Sequence, residues 1–228
     1  MKKLLILLMT LALCALSATA AVCDEAAPTV CVSITDDTGA LVLAREAVRL
    51  TDADSDGTLT INDALICAHE AHPDGAAAYA TAETEFGLSM MKLWGVENGG
   101  SYGYYLNDAS AWSLLDPVKD GDHVKAYAYT DLTGWSDTYS YFDASYVETA
   151  VGTEVTLTLQ AAAFDENFAP VTLPVAGAVI IVDGEMTEIV TDAEGKAVLT
   201  FDEAGTYLIS ADSETINLVD PVCIVQAQ

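Results

Sequence analysis

Asp52-Ala53-Asp54-Ser55-Asp56-Gly57-Thr58-Leu59-Thr60-Ile61-Asn62-Asp63 runs without a break into Ala64-Leu65-Ile66-Cys67-Ala68-His69-Glu70-Ala71-His72. The second part has helical spacing: Ile61, Ala64, Leu65 and Ala68 share one face, and Asp63 supports the N-terminus. Pro73-Asp74-Gly75 stops it, so a helix is expected over 61–72. The first part places oxygens where a hard divalent cation needs six to eight of them. Asp52, Asp54 and Asp56 supply carboxylates, Thr58 a backbone carbonyl, Thr60 a direct or water-mediated oxygen, and Asp63 the closing carboxylate. Gly57 permits the sharp bend, and Leu59 is expected to point into the core. Calcium is the cofactor this loop predicts.

Working outward, Thr29 to Thr35 alternates and is β-rich, and Asp36-Asp37-Thr38-Gly39 reads as a turn. Ala40 to Leu50 reads as a second strand, with a helix as the rival because Leu, Ala, Arg and Glu also favour helices. Between residues 88 and 146 lie eight of the ten tyrosines and all three tryptophans. Residues 91–97, 102–107, 123–130 and 138–142 read there as strands. Beyond residue 148 the chain alternates plainly, with strands at 154–160, 177–182, 188–191, 196–201, 206–211 and 223–226. Short strands with regularly spaced turns predict a β-sandwich. The expected fold is an α+β unit with one main helix over 22–148, then an all-β sandwich over 149–228.

Length and composition agree. The chain has 228 residues, of which 52% are hydrophobic and 19% charged, enough apolar material for two cores. Against 35 acidic residues stand 8 basic ones, a net charge of −27. No basic footprint exists, which argues against nucleic acid and anionic membrane surfaces as partners.

Met1-Lys2-Lys3, the apolar run Leu4 to Leu16 and Ser17-Ala18-Thr19-Ala20 read as a signal peptide, 1–21. The run is shorter than the ~20 residues of a membrane span. Leu13 before Cys14 and Val22 before Cys23 lack the small residue of a lipoprotein signal. A secreted, extracellular protein with no membrane insertion is expected. Cys23, Cys31, Cys67 and Cys223 would remain, and an even count in an exported chain favours disulfides, with three pairings open; the alternative is small buried thiols, since two domains of this size do not need staples.

Two weaker constellations remain. His69 and His72 stand one helical turn apart, but two residues separate them rather than the three of a zincin helix, and they read as a solvated helix face. Trp94, Tyr104, Tyr105, Trp112 and Trp135 read either as packing residues or as a ligand platform. No nucleophile elbow, P-loop or dinucleotide fingerprint is present, and no catalytic residues are assigned.

The loop resembles EF-hand loops, and its closing Asp63 resembles those of dockerin modules. Thr60-Ile61-Asn62-Asp63-Ala64-Leu65, Trp94, Tyr104-Tyr105-Leu106-Asn107-Asp108, Val118-Lys119-Asp120-Gly121-Asp122-His123-Val124 and Ala126-Tyr127-Ala128-Tyr129 together resemble the transcobalamin-like C-terminal domain of secreted bacterial proteins. That resemblance implies a small β-grasp-like unit. Val175-Ala176-Gly177-Ala178-Val179, Thr191-Asp192-Ala193-Glu194-Gly195-Lys196-Ala197 and Ala204-Gly205-Thr206-Tyr207 resemble Ig-like or carboxypeptidase-regulatory-like modules, which serve as spacers or adhesion units. The expected function is a secreted calcium-binding, non-catalytic binding, adhesion or scaffold protein with an extracellular protein or polysaccharide partner. The alternative is a small-ligand carrier, for a corrinoid, haem or glycan, using the aromatic region 94–135.

Overall fold

A computed structural model describes residues 27–73, 75–167 and 169–228. The expected signal peptide, with Cys14, and Cys23 beyond it lie outside these residues. Most of the described chain is β-structure, and among the described residues there is one α-helix.

β1 (Thr29–Thr35) and antiparallel β2 (Leu41–Arg49) form a hairpin, so the strand reading of 40–50 holds over its rival. α1 (Ile61–Glu70) follows, capped by Thr60, whose hydroxyl accepts from the Asp63 backbone N–H while the Asp63 side chain accepts from the Thr60 N–H. A 3-10 turn (Gly75–Ala78) leads to the hairpin of β3 (Ala80–Thr84) and β4 (Gly87–Lys92). β5 (Tyr102–Leu106), β6 (Ala109–Ser110) and β7 (His123–Ala128) complete a five-stranded sheet in the order β2-β1-β7-β5-β6. β7 lies parallel to β1 and antiparallel to β5. Val30, Val32 and Ile34 of β1 and Val124 and Ala126 of β7 pack against Ile61, Ala64, Leu65 and Ala68 of α1. Each such fully buried aliphatic side chain contributes about 1.5–3 kcal/mol relative to exposure.

The second set of strands is β8 (Thr138–Phe142), β9 (Tyr146–Thr149), β10 (Glu154–Phe164), β11 (Pro170–Pro174), β12 (Val179–Val182), β13 (Glu185–Val190), β14 (Lys196–Thr200), β15 (Gly205–Asp212), β16 (Leu218–Val219) and β17 (Cys223–Ala227). One sheet runs β11-β10-β8-β16, with β14 also on β10, and the other runs β13-β12-β15-β17-β9. Leu157 and Leu159 of β10 meet Ile180, Ile209 and Val225 of the facing sheet in a sandwich core. The expected boundary at 148/149 falls inside this body. β8 pairs with β10 and β9 pairs with β17, so backbone pairing divides the chain at 130–137. That connection is tied down. Asp131 accepts from the N–H groups of Thr133 and Gly134, and Asp137 accepts from the N–H groups of Thr130 and Asp131.

The cysteine expectation needs correction. Every complete pairing of Cys23, Cys31, Cys67 and Cys223 must join two of the last three, and all three are free thiols. Cys223 is buried in the sandwich core, where it packs as a small apolar side chain. His69 departs from the solvated face expected of it: it is buried.

All six residues of β7 are buried, because α1 covers one face of the first sheet and the second body covers the other. On that other face the Lys125 ammonium, only 7% exposed, lies 2.6 Å from Asp108 Oδ1. The Tyr139 hydroxyl donates to the same oxygen at 2.7 Å. Tyr105 stacks on Tyr139 with centroids 3.4 Å apart, and Lys125 sits 5.5 Å above the Tyr139 ring. Burial pulls the Lys125 amine below its ordinary value, against the opposing pull of Asp108. Gly103, beside Tyr127, has no room for a Cβ, which would collide with the phenol ring.

A buried cation without its partner is costly, whereas Asp108, 26% exposed, can be rehydrated if Lys125 is lost. Asp108→Ala is therefore expected to cost about 3 kcal/mol. Lys125→Met is expected to cost roughly 1 kcal/mol or less, since burying an apolar isostere is often neutral. Urea denaturation of the two variants compares them, and equal losses would overturn this account of the junction.

Candidate functional site

The loop ahead of α1 brings three of its predicted donors together. Carboxylate oxygens of Asp52, Asp54 and Asp63 lie within 4.8 Å of one another. Each is held by the local chain. Asp52 accepts from the N–H groups of Asp56 and Gly57, with Gly57 at φ +90. Asp54 accepts from the Asn62 side-chain amide at 3.1 Å. Asp63, buried, accepts from the Ala53 N–H on one oxygen and from the Thr60 N–H and hydroxyl on the other. Asp56 stands outside this trio of carboxylates. The Asp56 carboxylate accepts from the Thr58 N–H at 2.7 Å, and the Thr60 hydroxyl is engaged with Asp63. Leu59 packs against the first core as expected. Three converging carboxylates with no sulfur or nitrogen donor suit a hard divalent cation, which would relieve their mutual repulsion.

The N-terminus of α1 is satisfied from outside the helix. The Ile61 N–H donates to Asp116 O and the Asn62 N–H to Leu114 O, while the Val118 N–H donates to Leu59 O. The carboxylate loop and residues 114–118 are thus one hydrogen-bonded piece.

The five aromatic candidates fall into three places. Trp94, at φ +49, gives its N–H to His69 Nε2, and His69 Nδ1–H donates to Leu65 O at 2.6 Å. Both ring nitrogens of His69 are committed, leaving none for a metal. His72 packs edge-on against Trp94 and lies 3.3 Å from the Glu46 carboxylate. A cavity of about 330 Å³ opens there beside His72, Lys92 and Trp94. Tyr104 and Trp112 line a separate groove of about 850 Å³ between the β3–β4 hairpin and the first sheet. Tyr105 packs in the aromatic junction, and Trp135 meets Tyr129 edge-on near it. Trp112 is 96% exposed. The sequence reading missed Phe86, 90% exposed at the hairpin tip and lining the same groove. A lone Phe before Gly87 gives no periodic signal, and only the fold brings it to Trp112.

No protein-family model matches the chain, and no curated protein does. Among solved structures, the chain has a distant likeness to the N-terminal Ig1-2 module of the Drosophila receptor protein tyrosine phosphatase DLAR. That pair shares 12% identity over 67% of this chain and 76% of the other, with a TM-score of 0.26. A structure of tandem Ig repeats of Dlar gives 11% identity over the same shares, also at 0.26. The sandwich here rests on its own strand pairing. No helix among the described residues is long and apolar enough to cross a membrane.

Two buried histidines and a half-buried carboxylate set opposing pH dependences. Burial lowers the pKa of His69 below 6.5. Burial, with Lys125 and Arg45 adding, lowers that of His123 to about 3. Below about pH 6.5 the unfolded chain binds protons that these folded rings refuse, so their contribution falls as pH falls. Asp220 acts oppositely: burial, with Asp212 and Asp36 adding, lifts its carboxyl from 3.8 to about 7. Its contribution is full at low pH and is lost as pH rises through that value. In Asp220→Asn the opposing slope is gone. The urea midpoint is then expected to fall more steeply than in the wild type between about pH 6.5 and 4.5. An unchanged or shallower slope would refute the assignment.

Proposed function

We propose that this chain is a secreted, calcium-stabilised, non-catalytic binding or adhesion protein with an extracellular protein or polysaccharide partner. The observation that carries the reading is the convergence of Asp52, Asp54 and Asp63 within 4.8 Å at the start of α1. Calcium would take one oxygen from each of these, with Asp56, the Thr58 carbonyl and water completing its shell. Asp63 then serves the ion and the helix cap together, so the ion would stabilise the turn from hairpin to helix rather than polarise a substrate. The β1–β2 hairpin, the crossing helix and β7 laid parallel beside β1 support a β-grasp-like reading of the first unit. The two facing sheets of residues 138–227 support an Ig-like or carboxypeptidase-regulatory-like spacer. A single carrier platform built from Trp94, Tyr104, Tyr105, Trp112 and Trp135 has less support, because these side chains occupy three separate places.

Extracellular sites of this type bind calcium at about 10⁻⁴–10⁻³ M. Saturation at ~100 times the dissociation constant is expected to add about 2.7 kcal/mol of stability. The comparison variant is Asp52→Asn/Asp54→Asn, which keeps acceptor oxygens for the loop N–H groups and leaves the Asp63 cap intact. Titration calorimetry and calcium-dependent melting should both lose their signal in it. Wild-type heats from the double variant would falsify the loop assignment.

A further inference from the structure

The groove between the β3–β4 hairpin and the first sheet holds two nearly bare aromatic rings, Phe86 and Trp112. Single exposed apolar residues are ordinary, but here both rings, with Leu88 and Met91, line one open space of about 850 Å³. We propose that this groove binds a neutral oligosaccharide chain, with the Trp112 and Phe86 rings stacking on sugar faces. The proposal deepens the binding-protein reading by assigning its surface and its ligand class.

Three observations select that class. Glu85 is the sole charged residue lining the groove, with no Lys, Arg or His there to hold an anionic chain. A peptide joining β4 as a new strand would need its edge carbonyls, and the Tyr102 hydroxyl, which shares its one proton between Met91 O at 2.9 Å and Val96 O at 2.8 Å, stands over that edge. The lining carries both aromatic rings and hydroxyls. Thr84 Oγ1 accepts from the Phe86 N–H and lies 3.0 Å from Ser89 Oγ, so these hydroxyls brace the hairpin that carries Phe86, while Ser113 Oγ accepts from the Leu115 N–H and keeps its proton for a ligand. A sugar ring, with an apolar C–H face and a hydroxyl rim, matches both kinds of surface.

The backbone that carries Trp112 is also fixed, which spares the cost of ordering the chain there on binding. The Trp112 backbone N–H donates to Asp116 Oδ2 at 2.8 Å, and Asp116 O in turn accepts from the Ile61 N–H. The ring therefore hangs from the segment that the metal loop holds.

The test is affinity electrophoresis of the full chain through gels containing a soluble β-glucan, a xylan or a mannan, with calcium or with a chelator. Retardation by at least one polymer is expected. Trp112→Ala and Phe86→Ala should each weaken it about tenfold, equivalent to about 1.4 kcal/mol. Trp135→Ala, outside the groove, should leave it unchanged. Both groove rings are exposed, and unchanged urea midpoints show that their variants fold. No retardation by any polymer, or retardation indifferent to Trp112→Ala, overturns the proposal, as does Trp112-dependent binding of an apolar peptide instead. Calcium titration of Asp52→Asn/Asp54→Asn separates the two readings. Failed retardation with a calcium heat lost in that variant sinks the groove alone. Trp112-dependent retardation with an unaltered calcium heat supports the groove and sinks the metal loop alone.

Discussion

β7 has no exposed face, and the architecture around it follows from that burial. Alternate side chains of a strand point to opposite faces, so a strand buried on both must find two different environments. Val124 and Ala126 meet the apolar stripe of α1. His123, Lys125 and Tyr127 meet the second body, where buried polar groups need specific partners rather than mere cover. Asp108 answers Lys125, Ser33 answers His123 Nε2, and the tyrosines of β8 close over them. The parallel pairing of β1 with β7 holds both faces in register, bringing Ser33 beside Lys125 and Thr35 beside Tyr127.

The carboxylate loop ties a charge problem to a folding problem. In a chain of net charge −27, gathering three of its acidic groups within 4.8 Å adds repulsion rather than stability. Asp63 cannot turn away, because its oxygens cap the helix and brace Ala53. The loop therefore retains a concentrated negative charge at the place where α1 begins, and any cation found there acts on the helix start directly.

What the sequence disclosed followed the range of the interactions involved. β1, β2 and α1 are written in local alternation, helical spacing and a cap, and their bounds lie within a few residues of expectation. The strand at 91–97 was displaced, because β4 ends at Lys92 and its partner β3 carries little hydrophobic alternation. The division at 130–137 was hidden because β8 resembles its tyrosine-rich neighbours in composition but pairs with β10, and pairing is not a local property. His69 looked solvent-facing because hydropathy cannot anticipate that both ring nitrogens find partners. Tyr104 and Tyr105 looked like one platform, yet adjacent strand residues face opposite ways, one toward the groove and one toward the junction.

Gly103 carries a consequence larger than its size. Its missing Cβ is the space that the Tyr127 ring occupies, on the face where the two bodies meet. A methyl group at that point would act as a shim, prising Tyr127 toward Tyr139 and widening the seam along its length. The Tyr127 ring, 3% exposed, can lie flat in this seam because position 103 carries no side chain. Any larger residue at position 103 would therefore have to expel a buried tyrosine from the seam before it could be accommodated.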